Sequence, residues 1–279
     1  MRVCFTSDLH GSTRLYDQLA ELLRTTTPEL LILGGDLFRD VDPNQPVPPQ
    51  IDALTARFIE RIETWRTALP RLIVACILGN HELAPMWDTL RPHHDAGTFM
   101  LLSNEQVSNI NGLTFVGYSS APPSPHWAKD FERLDMRRDP IPKFAGVAWN
   151  DQRQELRQVD LARHFGRRAT ILQQLEQTPP AASPWIFVAH PPPYESKLDR
   201  LPNVPYPIGS KAVRQFIEDR QPFVSLHGHV HESPEISESF TDRIGQTLCV
   251  NPGQGHQQLQ AVIFDADDPA GTIRHTVFS

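Results

Sequence analysis

Cysteine is scarce in this sequence: Cys4, Cys76 and Cys249 are the three in 279 residues, an odd number with no CxxC pair. That excludes a disulfide framework and a cysteine-built zinc knuckle. Each thiol lies in an apolar, β-rich stretch, as in Val74-Ala75-Cys76-Ile77, so all three are expected to be buried and reduced, which suits a reducing compartment. No run approaches the ~18 consecutive apolar residues of a membrane span. No basic-then-apolar leader opens the chain, so a cytoplasmic protein is expected. Basic runs are missing too, and 33 acidic against 26 basic residues leave a net charge of −7. That balance argues against a broad nucleic-acid footprint. Internal repeats and Gly/Ser linkers are absent, and the chain is long enough to bury its own core, so one domain over residues 1–279 is expected.

What is present is an alternation of short β-rich runs with helical patterns. Residues 2–7, 29–34, 71–78 and 113–117 read as strands. Residues 13–24 place Leu15, Leu19, Leu22 and Leu23 on one helical face. Residues 50–69 repeat Ile51, Leu54, Phe58, Ile62, Trp65 and Leu69 at steps of three or four, the clearest helix in the chain. Residues 120–150, with Pro122, Pro123, Pro125, Pro140 and Pro142, read as a long irregular excursion, and residues 151–177 as a polar helix. A second proline-rich loop covers 191–208. Residues 184–189, 223–226, 246–250, 259–264 and 272–278 read as strands, and 209–220 as a helix. The alternation predicts an α/β architecture. Polar residues gather at the trailing ends of its strands, where ligand sites form in open α/β sheets.

Five short segments at those ends stand out: Asp8-Leu9-His10, Gly35-Asp36, Gly79-Asn80-His81-Glu82, His190, and Gly228-His229-Val230-His231. Asp, Asn and His offer the hard or borderline oxygen and nitrogen donors that suit Mn²⁺, Fe²⁺, Zn²⁺ or Mg²⁺. Glycine lets the backbone turn sharply and pass close to a metal or a phosphate. Residues i and i+2 of a strand point the same way, so Asp8 with His10, and His229 with His231, are expected to face one site. Singly, each segment has a plainer reading: a turn carboxylate, a helix cap at Asp36, a packed histidine. Five of them at consecutive strand ends point to a single site instead.

The order DxH, GD, GNHE, H, GHxH resembles the calcineurin-like metallophosphoesterase superfamily, and the likeness runs from residue 8 to residue 231. The resemblance implies an α/β fold built as a four-layer αββα sandwich, two mixed β-sheets flanked by helices. It implies two divalent ions, Mn²⁺ foremost, with Fe²⁺, Zn²⁺ or Mg²⁺ as alternatives. One would be held by Asp8, His10, Asp36 and His231, the other by Asp36, Asn80, His190 and His229, with Asp36 bridging. His81 would be the catalytic histidine beside them. Two metals ~3.5–4 Å apart acidify a shared water for in-line attack on phosphorus. A protonated His81 would donate to the leaving oxygen or stabilise the transition state. Whether Glu82 or another carboxylate orients His81 is left open by the motif.

The implied partner is a small phosphomonoester or phosphodiester, nucleotides included. Two alternatives are a nuclease or DNA-repair phosphodiesterase on the same fold and a non-enzymatic protein-binding scaffold. The acidic balance opposes the first and the complete ligand set opposes the second. The Ser/Thr protein phosphatases of the superfamily carry GDxxDRG and RGNHE. Here Gly35-Asp36-Leu37-Phe38-Arg39-Asp40 and a Leu78 before Gly79 lack both clamping arginines. Arg39 stands where purple acid phosphatases place a tyrosine ligand. The run His227 to Ser233, then Val250-Asn251-Pro252-Gly253, is more similar to small prokaryotic phosphoesterases related to cyclic-nucleotide phosphodiesterase.

The remaining candidates have weaker patterns. His227 is expected to be a hydrogen-bonded core histidine, Asn251-Pro252-Gly253 a turn near the site, and His256 an exposed loop residue. His93, His94 and His164 read as surface positions. The 120–150 and 191–208 loops are candidate substrate walls. In them Trp127, Phe131 and Trp149 could stack on a base and Lys197 and Arg200 could hold a second phosphate, or they could simply pack and solvate the loops.

Overall fold

A computed structural model describes residues 1–278. The first half of the chain forms β1 (Arg2–Thr6), α1 (Thr13–Thr26), β2 (Leu30–Gly34), α2 (Val47–Ala68), β3 (Ile73–Ile77), α3 (Ala84–Asp95), β4 (Met100–Leu101), β5 (Ser108–Ile110) and β6 (Leu113–Tyr118). Next come β7 (Val147–Asn150), β8 (Glu155–Gln158), α4 (Leu161–Gly166), α5 (Ile171–Glu176), β9 (Trp185–Ala189), α6 (Lys211–Arg220) and β10 (Val224–Leu226). The chain closes with α7 (Ser233–Ser237), β11 (Thr241–Ile244), β12 (Thr247–Val250), β13 (Val262–Asp265), α8 (Pro269–Thr272) and β14 (Arg274–His275).

The strands form two six-stranded sheets, ordered β14-β13-β1-β2-β3-β4 and β11-β12-β10-β9-β6-β5, with β7 and β8 as a separate hairpin. In the first sheet β1 to β4 run parallel and β13 runs antiparallel to β1. In the second, β6, β9, β10 and β12 run parallel and the edges β5 and β11 antiparallel. Both sheets are therefore mixed.

Strand alternation builds the layers. In β2, Leu30 and Ile32 point into the space between the sheets, where they meet Phe5, Phe115, Ile186, Val188 and Leu226. Leu31 and Leu33, on the opposite face, pack with Leu19 of α1 and Ile51, Phe58 and Ile62 of α2. The second sheet does the same: Phe187 and Ala189 of β9 face Ile171 of α5 and Val213, Phe216 and Ile217 of α6. Because both faces of each central strand are covered, the strands read as continuous apolar runs rather than alternating ones. The result is the expected αββα sandwich. Among the described residues, no helix is long and apolar enough to cross a membrane. Cys4, Cys76 and Cys249 are unpaired and buried, and burial pushes the Cys4 thiol up to about 12.

The polar helix expected over 151–177 does not form. Residues 147–158 make the β7–β8 hairpin, and two six-residue helices follow, α4 and α5. Asp160 and Thr170 each cap a new helix start, which divides the segment. The helix α3 has no counterpart in the sequence reading. It begins after Leu83 with Pro85 in its first turn, and it buries only Met86 and Leu90, too few to leave a clear period.

Candidate metal centre

Parallel pairing brings the trailing ends of β1, β2 and β3 to one edge of the first sheet, and those of β6, β9 and β10 to one edge of the second. Every motif lies just beyond such an end, and the segments are stitched together by their backbones. Asp8 N–H donates to Gly35 O at 2.9 Å and His10 N–H to Asp36 O at 2.8 Å. His190 N–H donates to Tyr118 O at 2.9 Å, and Gly228 N–H to His190 O at 3.0 Å.

The side chains do not converge by strand alternation, as the i, i+2 spacing suggested. β1 stops at Thr6 and β10 at Leu226, so the motif residues lie in turns. Asp8, His10, Asp36 and His229 have φ of +59°, +44°, +50° and +66°, the left-handed region that non-glycine residues avoid. Such positions cost on the order of 1 kcal/mol each and persist where surrounding contacts over-determine them. Four such positions gather at this one place.

Two groups result. In one, His231 Nε2 lies 3.2 Å from Asp8 Oδ1 and 3.3 Å from His10 Nε2. In the other, His190 Nε2 lies 3.4 Å from Asp36 Oδ2 and 3.1 Å from Asn80 Oδ1, with the His229 ring 5.1 Å from that of His190. The Asp36 carboxylate stands between them: its Oδ2 is also 3.9 Å from His10 Nε2 and from His81 Nε2. Donors close enough to hold a metal ion form four overlapping clusters: Asp8, His10 and His231; Asp36, His190 and His229; His10, Asp36 and His81; and Asp40, His81 and His126. Two glycines make the convergence possible. A Cβ on Gly79 would strike the Asp36 carboxylate and lie 2.7 Å from His190 Cε1, and one on Gly228 would strike Ser7 Oγ and Asp8 Oδ2.

Electrostatics couple the groups. Burial alone would raise the pKa of Asp8, but His231 outweighs it and brings the carboxyl down to about 2. Burial likewise opposes ionisation of Asp36, and His190 overcomes it, holding Asp36 well below the usual range. In return Asp36 and Asp8 overcome the burial of His190 and push its pKa up to about 9. Burial and the neighbouring charge of His190 push His229 down to about 3, leaving a neutral imidazole. Its ring nitrogens have no hydrogen-bond partner among the described residues.

Three residues of the site escaped the sequence reading or were left undecided by it. Glu82 does not orient His81. It is fully buried, and its carboxylate accepts from the backbone N–H groups of Asp36 (3.0 Å), Leu37 (2.8 Å), Phe38 (3.2 Å) and Gly79 (2.5 Å). The carboxylate beside His81 is Asp40, whose Oδ1 is 3.0 Å from His81 Nδ1. His126, from the irregular excursion, lies flat on His81, with ring centroids 3.5 Å apart and planes 21° apart. Nothing local marks His126 in the sequence, because the contact spans 45 residues of intervening fold.

The weaker candidates divide. His227 is a core histidine, its Nε2 2.7 Å from Ser225 Oγ and its Nδ1 3.1 Å from Ala189 O. Asn251 donates to Leu198 O (3.1 Å) and Val230 O (3.0 Å), so it clamps the turn that carries His229 and His231. His256 is exposed. His93, His94 and His164 are half-buried rather than surface residues: His94 accepts from Leu101 N–H, and His164 sits 3.1 Å from Lys129 O. Trp127, Phe131 and Trp149 pack against the helical side of the first sheet. Arg200 is turned to Ser196 O and Asp199, and Lys197 is exposed.

Residues 1–233 match the family model for calcineurin-like phosphoesterases. No curated protein sequence matches the chain. Among solved structures, one superposes with a TM-score of 0.60 at 15% identity, over 100% of this chain and 99% of the other. TT1561 of Thermus thermophilus gives 0.57 at 14% identity, over 98% and 97%. A dimetal phosphatase from Danio rerio gives 0.50 at 12% identity, over 94% and 91%. At such identities the likeness speaks for the fold.

Proposed function

The chain belongs to the calcineurin-like phosphoesterase family and is a metal-dependent phosphoester hydrolase, and we propose that it hydrolyses a small phosphomonoester or phosphodiester at a centre of two divalent ions. The observation that carries this reading is the convergence of Asp8, His10, Asp36, Asn80, His190, His229 and His231 from separate strand ends onto one cluster of facing donor atoms. The donor set fits metal ions. His10 and His231 point nitrogens at each other, which one ion would satisfy, and His229 in the other group faces Asp36 and His190, where a second ion would engage it. Asp8, His10, Asp36 and His231 would hold one ion and Asp36, Asn80, His190 and His229 the other, Mn²⁺ being the first candidate. Bound there, two ions would supply an activated water and neutralise the phosphoryl oxygens.

The chain's own groups do the rest. Asp8 and Asp36 bring the negative charge that draws cations in. Glu82 fixes the backbone on which Asp36 stands. His81, with Nε2 facing the cluster and Nδ1 on Asp40, is placed to pass a proton to the leaving oxygen.

The test starts from metal-free protein. Ligands must lose their protons to bind metal, and Asp36 and Asp8 push His190 up to about 9, so Mn²⁺ uptake at pH 7 should release about one proton per chain or more. Hydrolysis of bis(p-nitrophenyl) phosphate or p-nitrophenyl phosphate should appear with it. Stoichiometric metal uptake without hydrolysis of either ester would sink the proposal.

Asp40 gives a second test. Burial lowers the His81 pKa, but the Asp40 hydrogen bond and the charges of Asp36 and Asp40 outweigh it and raise the pKa overall. Only protonated His81 can donate, so activity should fall as pH rises through that pKa. D40N removes the Asp40 charge while leaving that of Asp36, and the alkaline limb should move toward acid. The accompanying loss of kcat should be roughly 10–100-fold. An unmoved alkaline limb would exclude His81 as the proton donor.

A further inference from the structure

His126 reaches the site from outside every motif. Its backbone is held tightly for a residue in an irregular loop. Lys129 is fully buried, and its Nζ donates to Ser124 O (2.9 Å), to His126 O and to Glu132 Oε2 (2.7 Å). Glu132 in turn accepts from Ser124 N–H (3.1 Å) and Oγ–H (2.6 Å), and Ser124 Oγ accepts from His126 N–H (3.2 Å). This buried knot presents the His126 ring flat against His81.

His81 is thereby enclosed on three sides. Asp40 meets the Nδ1 edge at 3.0 Å. His10 meets the ring edge-on, with centroids 4.6 Å apart and planes at 73°. His126 covers one face. Its Nε2 reaches Asp40, the carboxylate that also meets His81, at 3.5 Å, and its Nδ1 is buried without a partner. The flat of the His126 ring lies over His81 as a plate that stops it turning about its Cβ–Cγ bond.

We propose that His126 is a positioning residue that keeps Nε2 of His81 aimed at the leaving oxygen, and that the natural substrate is accordingly an ester of a poor leaving group, an aliphatic alkoxide. The proposal rests on the proton-donor reading of His81. In the step concerned, water oxygen bonds to phosphorus and gives up a proton to solvent, from which His81 is later reprotonated. The phosphorus–oxygen bond to the leaving group breaks, its electron pair stays on that oxygen, and the Nε2 proton moves there. A precisely held donor matters little when the departing oxygen is already a stable anion, and greatly when it is basic.

The experiment is a leaving-group series on the full chain with added Mn²⁺: methyl aryl phosphodiesters whose phenols span pKa values from about 7 to about 10. For H126A, kcat on the phenyl ester should fall roughly 10–100-fold with KM unchanged, and on the nitrophenyl ester by no more than about threefold. The plot of log kcat against leaving-group pKa should steepen. H126F, which restores a plate but no nitrogen, should recover the wild-type slope. In metal-free protein, side-chain NMR of His81 should show a more mobile ring in H126A and a fixed one in H126F. H126Q provides a second plateless variant should H126A fail to fold. An equal loss across the series, or H126F no better than H126A, overturns the proposal. The control is H81A. If H81A leaves the slope unchanged, the donor role of His81 falls and the positioning claim with it. If H81A steepens the slope and H126A does not, the positioning claim alone falls.

Discussion

Replacing Asp36 by asparagine should reduce hydrolysis about a thousandfold or more and abolish stoichiometric metal binding. The carboxylate is buried and central. Oδ2 lies 3.4 Å from His190 Nε2 and 3.9 Å from both His10 and His81 Nε2, while Oδ1 accepts from His81 N–H at 2.9 Å. Asparagine keeps the shape and can keep the His81 bond. What it removes is the negative charge that both halves of the site share, and it places N–H donors where lone pairs are required. The charge also holds His190 protonated in the metal-free chain, so D36N should lower the His190 pKa while leaving the fold intact. Elemental analysis, steady-state kinetics and a thermal unfolding curve separate these effects. Full activity with two bound ions in D36N would rule out Asp36 as the shared ligand.

Glu82→Ala should act on stability first and on activity through it. Four backbone N–H groups, of Asp36, Leu37, Phe38 and Gly79, end on this one buried carboxylate. Alanine leaves all four buried without acceptors, at about 1–3 kcal/mol each, so a loss of about 4 kcal/mol or more is expected. That is a large share of the roughly 5–15 kcal/mol that typically separates folded from unfolded chains. The unfolding midpoint should drop by about 10 °C or more, and the loop carrying Asp36 should lose its register. Burial and the nearby Asp36 charge push the Glu82 pKa up to about 7, against the pull of the Gly79 and Phe38 N–H donors and of His190. Glu82→Gln retains one oxygen acceptor and should lie between the two. A midpoint within about 2 °C of wild type for E82A would contradict this account.

These two residues adjoin motif positions yet were not equally legible. Asp36 follows from chemistry that survives without coordinates: a carboxylate after a glycine at the end of an apolar strand, one of five such segments in order. Glu82 was visible but its task was not, because its four partners belong to two different turns. Asp40 was visible only as a departure from a phosphatase motif, and His126 not at all. The polar stretch 151–177 misled for a related reason. Its few apolar residues are spread over a hairpin and two short helices, and local periodicity cannot detect pairing such as Trp149 with Leu156.

The sequence by itself determined the layers and the donors. Strands buried on both faces must be apolar throughout, and the Asp, Asn and His donors of the candidate centre stand just beyond strand ends, so both are written in residue type and order. Tertiary structure decided how the donors meet. Asp8 and His10 face the cluster through left-handed turns rather than by strand alternation, a conformation held by contacts with Gly35, Asp36 and His229 that lie far along the chain. It also decided what holds His81, since Asp40 and His126 reach it only after two sheets have packed and a buried Lys129–Glu132 pair has fixed a loop. Residue type and order follow from local chemistry, whereas orientation follows from contacts that exist only once the chain has closed on itself.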